Sequence, residues 1–216
     1  MKRLYIIAEG RTEERFINDL LVPYFTSKEI YDVRPILLNT SKTSKGGDLN
    51  YDRFKPNVKN YLYEDNLIIT SLIDFFRLQP DFPKYDEALN ISDISNRISF
   101  LEKAIADDIN DERFIPYIQM HEFEGLLFSD IKGFDSLDIS SKEKEELYNI
   151  VNTFTNPELI NDGPTTAPSK RLEKLISNYR KSFHGPNIAS ENTLSAILNK
   201  CPRFNNWIEK LTELMK

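Results

Sequence analysis

Residues 66–76, NLIITSLIDFF, form the clearest strand of the sequence, because seven almost unbroken apolar positions lead up to Asp74. Such a continuous run is typical of a strand that is buried on both faces of a parallel sheet. Asp74 stands out at its end, since an unpaired carboxylate is costly to bury. The stretch therefore predicts a central strand that delivers an acid at its carboxyl end.

The segments around this strand alternate between strand and helix patterns. Three further strands are predicted at RLYIIAE (3–9), DVRPILLN (32–39) and RFIPYIQM (113–120), and residues 93–109 have helical apolar spacing. This alternation predicts an α/β fold with a parallel sheet of about four strands flanked by helices. From about residue 140 the pattern is wholly helical. We expect an α/β core over residues 1–135 and a helical extension over 136–216 packed on it.

Composition and charge describe an ordinary globular chain. Its 216 residues, 40% hydrophobic and 29% charged, suffice for one sizeable core, and the single cysteine, Cys201, cannot form an internal disulfide. No apolar run approaches the roughly 20 residues of a membrane span, and the N-terminal run is too short for a signal peptide. We therefore expect a cytoplasmic protein. A net charge of −6 neither supports nor excludes a nucleic-acid partner, because such enzymes place their cations locally.

Carboxylates follow three of the four predicted strands. Glu9 ends the first strand with Glu13 four residues later, Asp74 ends the third, and Glu122 and Glu124 follow the fourth. Ligands of open parallel sheets bind at the carboxyl ends of the strands, so these acids should converge there. Acids this close would repel one another without a cation, and oxygen-only ligands suit Mg²⁺ or Mn²⁺. Since helical residues two apart diverge, we expect Glu122 rather than Glu124 to face this site.

Each of these acids also has an ordinary structural explanation. Glu13 could simply complement a helix dipole, and Asp74 could be a satisfied buried acid that caps the next loop. His121 precedes Glu122, but the sequence lacks the spacing of a zinc protease helix, and one cysteine excludes a cysteine zinc site. A histidine bonded to a carbonyl is as good an explanation as a catalytic one. Convergence of several acids is the stronger argument for a metal.

Basic residues occur in two places that could meet a substrate. Lys45 lies in the glycine- and lysine-rich loop 40–50, which fits a basic loop over a substrate backbone, although an ordinary surface loop is the default. The segment 168–181, PSKRLEKLISNYRK, carries five cations. A solvated helix face explains most of them, and phosphate contact by one or two, with Arg171 as a candidate, is the sharper alternative.

Several of these blocks resemble a known fold and a known family. The motif EGRTE (9–13), followed by an aspartate at the tip of the third strand, resembles the TOPRIM fold of topoisomerases, primases and OLD-type nucleases. The chain also resembles a bacterial TOPRIM-like family of unknown function, the domain of unknown function 4276. The resemblance covers nearly the whole chain, in EGRTEERF, KGG, IDFF, PDFP, YIQMHEFEGLLF, NPELINDGPTTAPSKR and CPRFNNW.

The resemblance implies roles for individual residues. Glu9 and Glu13 match the glutamates that OLD-type nucleases use around their metals, and Asp74 matches the first acid of the TOPRIM aspartate-x-aspartate motif. Phe76 stands where the second aspartate is expected, which leaves a full two-metal site incomplete. Glu122, Glu124 or Asp81 could compensate. By position and charge, Lys170 matches the cation that these enzymes bring to the transition state.

The function implied is a Mg²⁺- or Mn²⁺-dependent nuclease of TOPRIM type that cleaves nucleic acid, with DNA favoured over RNA. The family resemblance suggests bacterial defence against phage or foreign DNA, beside an ATPase partner. Two alternatives remain open. One is a non-catalytic module that binds nucleic acid or an ATPase, and the other is a phosphotransfer or phosphohydrolase reaction on a small nucleotide.

Overall fold

The computed structural model describes residues 2–38, 49–160, 163 and 165–216. Its sheet has the order β2-β1-β3-β4, with β5 also paired to β3, and every pairing is parallel. The strands are β1 (Arg3–Ala8), β2 (Val33–Leu37), β3 (Leu67–Asp74), β4 (Phe114–Ile115) and β5 (Ile118–Gln119). The single strand predicted over 113–120 is thus two short strands. Pro116 lies between them and has no N–H to donate to a ladder, which accounts for the interruption.

The sheet is central because its strands are covered on both faces. All eight residues of β3 are buried. In β1, side chains alternate between two hydrophobic cores: Leu4 and Ile6 belong to one, and Tyr5 and Ile7 belong to the other. This is the period of two expected of a strand between two helical layers. The sequence-based expectation of a parallel sheet flanked by helices is confirmed.

The first half of the chain supplies helices to both faces. On the face of Leu4 lie α1 (Arg11–Phe16) and α2 (Val22–Ser27), joined through a π-helical turn at Ile17–Leu21. On the opposite face lie α3 (Tyr51–Tyr61) and α5 (Ile94–Ile109), with the short α4 (Tyr85–Leu89) before α5. Their buried faces carry large apolar side chains, including Phe16, Phe25, Phe54 and Leu101.

The second half of the chain is helical and joins the core on the face of α1. Its elements are the 3₁₀ segments Phe123–Ser129, Ile131–Phe134 and Pro157–Leu159, and the helices α6 (Ser141–Thr153), α7 (Pro168–Leu175), α8 (Lys181–Asn192), α9 (Leu194–Lys200) and α10 (Pro202–Leu214). Residues of β1, α1, α8 and α10 share one hydrophobic cluster. A division of the chain near residue 135 stays a prediction.

Helix α10 is fixed to the sheet by specific polar contacts. Trp207 stacks on Tyr117 with ring centroids 4.3 Å apart, and its Nε1 donates to Oγ1 of Thr70 on β3 at 2.8 Å. At the start of α10, the buried carboxylate of Glu158 accepts from the backbone N–H groups of Arg203 and Phe204. Phe204 and Trp207 are therefore core residues.

Within the part of the chain that the structure describes, no helix combines the length and the apolar character that a membrane crossing requires.

Replacing Trp207 tests how strongly α10 is coupled to the sheet. Trp207→Ala should lower the free energy of unfolding by about 3–5 kcal/mol, because a large buried ring is lost and a cavity remains. Urea denaturation followed by circular dichroism measures this change. Tyr63→Ala, at a tyrosine that is 88% exposed, is the control and should stay within about 0.5 kcal/mol. A Trp207→Ala variant as stable as wild type would contradict this account of the packing.

Candidate active site

The first acid pair lies where β1 passes into α1. Glu9 follows the last residue of β1, and Gly10 precedes α1 in an extended conformation. A Cβ atom at Gly10 would lie 3.3 Å from Oε2 of Glu13, so glycine leaves room for that carboxylate. The Glu9 carboxylate accepts from the backbone N–H of Asp74 at 3.2 Å and thereby links the ends of β1 and β3.

Asp74 is 2% exposed and is held from two sides. Its Oδ1 accepts from the backbone N–H of Phe123 at 2.8 Å, and Nζ of Lys181 lies 3.3 Å from its Oδ2. The first contact ties the end of β3 to the 3₁₀ segment that carries Glu124. Asp74 is thus a buried acid with a defined orientation.

Glu124 is fully buried, and Nζ of Lys181 lies 3.1 Å from its Oε2. Its other carboxylate oxygen, Oε1, has no hydrogen-bond partner in the described part of the chain. The segment reaches this position after His121, whose backbone has a positive φ of 62°. That conformation is uncommon for a residue other than glycine and redirects the chain after β5.

Lys181 is the residue that brings the acids together, and the sequence analysis did not select it. Its Nζ lies 3.1, 3.3 and 3.7 Å from carboxylate oxygens of Glu124, Asp74 and Glu13. The sequence analysis treated the cations of 168–181 mainly as a solvated face, and no local pattern separates Lys181 from its basic neighbours. Lys181 is the first residue of α8, and this helix packs against α1, with Gly185 beside Thr12. That packing places Lys181 at the sheet edge.

The carboxylates of Glu13, Asp74 and Glu124 therefore lie around one ammonium, and Glu9 joins them through its bond to the Asp74 backbone. We name Glu9, Glu13, Asp74 and Glu124 the acidic cluster. Burial raises the pKa of Asp74 well above its usual value; Lys181 opposes that shift, and the neighbouring carboxylates add to it. Burial also raises the pKa of Glu124, again against the effect of Lys181. Burial and the charge of Glu13 raise the pKa of Glu9 to about 7. Ionising Glu9, Asp74 and Glu124 is thus opposed by burial, and Lys181 offsets this cost only in part.

Burial opposes the charge of Lys181, but Asp74, Glu124 and Glu13 together outweigh it and raise the pKa of Lys181 well above its ordinary value. The lysine is therefore a permanent cation at neutral pH. The raised carboxylate pKa values have burial as their largest cause, and repulsion from neighbouring carboxylates adds to it.

The donor chemistry of the acidic cluster fits a hard divalent cation, because it offers carboxylate oxygens and includes Oε1 of Glu124, which has no hydrogen-bond partner among the described residues. Among the described residues, however, no three acid, histidine or cysteine side chains are arranged as a ready metal-binding group. The cation contacting these acids is Lys181. A metal would have to share the carboxylates with this ammonium.

The expected preference between the two glutamates of HEFE is reversed. The Glu122 carboxylate accepts from the backbone N–H and the hydroxyl of Ser169, each at 3.0 Å, in the first turn of α7. An acid in this position satisfies a free helix N–H and complements the helix dipole. Glu124, two residues later, is the one that enters the acidic cluster, as divergence along the chain requires.

The other candidate site residues named from the sequence lie outside the acidic cluster or outside the described residues. Lys170 lines the same cavity as Glu124 and Lys181, but its Nζ is paired with Glu173 at 2.6 Å. Arg171 donates to the carbonyl of Thr166 and lies over the Phe154 ring, and these contacts fix the local packing of the chain. Asp81 accepts from the backbone N–H of Tyr51 at the start of α3 and does not compensate for Phe76. Lys45 lies outside the described residues.

A cavity of about 380 Å³ adjoins the acidic cluster. Its wall combines carboxylates, cations and two aromatic rings, contributed by Phe76, Arg77, Glu122, Glu124, Ser169, Lys170, Glu173, Tyr179 and Lys181. Arg77 also lies near the cluster, with its Nε 3.7 Å from Oε1 of Glu9. A polar ligand in this cavity would thus meet Lys181 and, of the acidic cluster, Glu124 directly.

Comparison with known proteins agrees with this fold. The family model described as "Domain of unknown function (DUF4276)" matches residues 8–212. The chain belongs to that family. A solved structure of the C-terminal region of the Burkholderia pseudomallei OLD protein, a TOPRIM-type region, is similar over 100% of both chains, with a TM-score of 0.54 and 16% sequence identity. No curated protein matches the sequence.

The similarity at 16% identity concerns the fold. It confirms the TOPRIM-like sheet with a helical C-terminal region that the sequence predicts for this DUF4276 chain. The roles of individual residues rest on the geometry of the acidic cluster.

Ionisation of the acidic cluster makes stability depend on pH. Because the folded pKa of Glu9 is about 7, above its ordinary 4.5, its contribution is fully present below pH 4.5 and is lost as pH rises through 7. In chelator-treated protein, the free energy of unfolding should fall over this window by on the order of 2–3 kcal/mol from Glu9. Urea denaturation at several pH values measures the slope.

Glu9→Gln should make this pH dependence shallower without abolishing it, since Asp74 and Glu124 shift in the same direction. Glu87→Gln, at an exposed glutamate on α4, is the matched control and should leave the slope unchanged. Identical slopes for wild type and Glu9→Gln would contradict the proton uptake assigned to Glu9.

Proposed function

We propose that this DUF4276 protein is a Mg²⁺- or Mn²⁺-dependent nuclease of TOPRIM type. The observation that carries the proposal is the convergence of Glu9, Glu13, Asp74 and Glu124 at the carboxyl ends of β1 and β3, with Lys181 among them. Carboxylates that hold a divalent cation beside a phosphodiester, with a cation positioned next to them, are a common arrangement for phosphodiester hydrolysis. Phosphoryl chemistry depends mainly on positioning and charge, both of which this site offers.

Each residue has a definite part in this proposal. Glu9, Glu13, Asp74 and Glu124 would hold the divalent cation, which when bound activates water and stabilises the leaving oxygen. Lys181, already the cation that contacts three of these acids, neutralises charge on the phosphate. It takes the part that the sequence resemblance assigned to Lys170. Lys170 and Arg77, at the cavity wall, contact the substrate backbone.

The biological setting rests on the family resemblance. That resemblance suggests bacterial defence against phage or foreign DNA, beside a partner ATPase. The one cysteine, free and buried, is consistent with a reducing cytoplasm. DNA is the favoured substrate. Because Phe76 replaces one expected acid, activity without the partner should be weak.

One observation favours a second function. An ammonium lies where the acids would hold a metal, and Phe76 replaces an acid, as expected of a non-catalytic module that binds nucleic acid or the ATPase. Measurements of metal binding and of nucleic-acid cleavage distinguish the nuclease from the non-catalytic module.

Calorimetric titration with Mn²⁺ tests the cation site directly. Asp74→Asn should weaken binding about tenfold or more, which corresponds to about 1.4 kcal/mol. Lys181→Met should strengthen binding, because the ammonium that competes for the same carboxylates is gone. Lys170→Met, at a lysine outside the acidic cluster, is the control and should bind Mn²⁺ as wild type does. Equal Mn²⁺ binding by wild type and Asp74→Asn would contradict the proposal that the acidic cluster holds the cation.

Cleavage assays test the chemistry. Plasmid, linear duplex, single strands and RNA are incubated with Mg²⁺ or Mn²⁺, with and without the ATPase. Wild type should cleave and Glu9→Ala should not. Lys181→Met should lose about 100-fold or more in rate, the scale for removing one group that stabilises transition-state charge, and Lys170→Met should lose much less. Tight binding of nucleic acid without cleavage, unaffected by Glu9→Ala, would establish the non-catalytic function instead.

A further inference from the structure

The cavity beside the acidic cluster has two features that catalysis at the cluster does not use: an exposed aromatic ring and a buried hydroxyl without a partner. Both belong to its wall, together with Lys170 and Lys181. The wall ranges from the fully buried Glu124 to the half-exposed Lys170. At about 380 Å³ the cavity is within the range of small-ligand sites.

The exposed ring is that of Phe76, two residues after Asp74. It is 41% exposed, although the apolar side chains of β3 and the adjacent Phe75 are buried. Its ring contacts the imidazole of His121 with centroids 5.5 Å apart, and its backbone N–H donates to the His121 carbonyl at 3.1 Å. The ring is therefore held in place while part of its surface stays open. A fixed, exposed phenyl ring among charged groups is the kind of surface on which a nucleobase stacks.

The hydroxyl belongs to Tyr179, just before α8. Its Oη is buried and makes no hydrogen bond within the described part of the chain. The ring is stacked on His184 with centroids 5.6 Å apart, which fixes its direction. A buried hydroxyl left without a partner destabilises the fold by about 1–3 kcal/mol, so such a group is retained where a ligand or water completes it.

Glu124 lines the same wall, and its Oε1 has no hydrogen-bond partner in the described part of the chain. Burial together with the charge of Glu124 raises the pKa of Tyr179, so that it remains a hydrogen-bond donor. A donor and an acceptor without partners in residues of this wall favour a ligand with polar groups. The cations Arg77, Lys170 and Lys181 favour a ligand that is also anionic.

We infer that this cavity is a subsite for one unpaired nucleotide of a nucleic-acid strand, with its base stacked on Phe76 and its polar groups bonded by Tyr179. The inference rests on the proposed function for the position of the scissile phosphate. Bases inside a continuous duplex are already stacked and paired, so an aromatic platform recognises single strands, overhangs or frayed ends. The substrate class is accordingly nucleic acid with unpaired nucleotides rather than intact duplex.

Binding measurements test the subsite separately from cleavage. All proteins carry Glu9→Gln, which the proposed function makes deficient in cleavage. The probes are a fluorescently labelled 12-nucleotide single strand, a blunt duplex of the same sequence and free deoxyadenosine monophosphate, with Mn²⁺ present. The reference protein should bind the single strand more tightly than the duplex or the free nucleotide. An adenine analogue whose fluorescence is quenched by stacking reports contact with the ring.

Phe76→Ala should weaken single-strand binding about tenfold, the scale of one lost stacking contact, and Phe76→Trp should restore it. Tyr179→Phe should weaken it by about fivefold, the effect of one hydrogen bond. Tyr63→Ala removes an exposed aromatic ring before β3, at the opposite end of the strand from Asp74, and is the matched control with unchanged binding. Circular dichroism and urea denaturation confirm that each variant is folded.

Equal single-strand binding by Phe76→Ala and the reference protein would overturn the subsite, and so would an equal loss for duplex and single strand. Binding of the free nucleotide as tight as that of the strand would assign the cavity to a small nucleotide instead. Failure to bind any probe would also overturn it. If wild type cleaves but Phe76 has no effect, only the subsite fails; if Phe76 controls binding and no protein cleaves, only the nuclease function fails.

Discussion

The site is organised by the contact between one ammonium and several buried carboxylates. Nζ of Lys181 lies within 3.7 Å of Glu13, Asp74 and Glu124 at an edge of the sheet; the three acids are buried, and the lysine side chain is 32% exposed. Breaking a buried pair of this kind leaves an uncompensated charge, whose cost is several kcal/mol. The helices after residue 140 therefore do more than cover the sheet, since one of them supplies the charge that allows the acids to stay together.

The sheet and helices provide the geometry for this contact. Because β1 and β3 are adjacent and parallel, Glu9 and Asp74 emerge side by side, and the Glu9 carboxylate bonds to the Asp74 backbone. Close approach of α8 to α1 at Gly185 brings Lys181 to the same edge. The bond between Asp74 and the Phe123 N–H fixes the segment that carries Glu124. Three distant parts of the chain are held by backbone contacts before any metal or substrate arrives.

The charge of the acidic cluster gives a physical reason for Phe76, which stands where the TOPRIM motif has an acid. An additional carboxylate at the cluster would further raise the cost of ionisation, which already shifts the pKa of Glu9 to about 7. A phenyl ring adds no charge and presents an apolar surface beside a polar cavity. This chain thus combines a TOPRIM-like fold with a site whose acid content and aromatic wall differ from the expected motif.

The sequence alone determined the layout of the fold and half of the site. Buried strands can be recognised in the sequence as continuous apolar runs, because burial on both faces leaves few polar positions. Acids at the ends of such strands can be predicted to lie together, because the carboxyl ends of parallel strands share one edge of the sheet. Glu9, Glu13 and Asp74 follow from this rule. Pro116 likewise marks the break that divides the last predicted strand in two, although its effect on the pairing was seen only in the structure.

Tertiary structure alone decided which distant residues complete the site. Whether Glu122 or Glu124 enters the cluster depends on the turn after His121 and on the position of Ser169, 47 residues away. The choice of Lys181 over Lys170 depends on how α7 and α8 pack, because every lysine in that segment is equally polar in sequence. Charge and hydrophobicity specify what must be buried or exposed, but they do not specify which of several similar side chains a long-range contact will select.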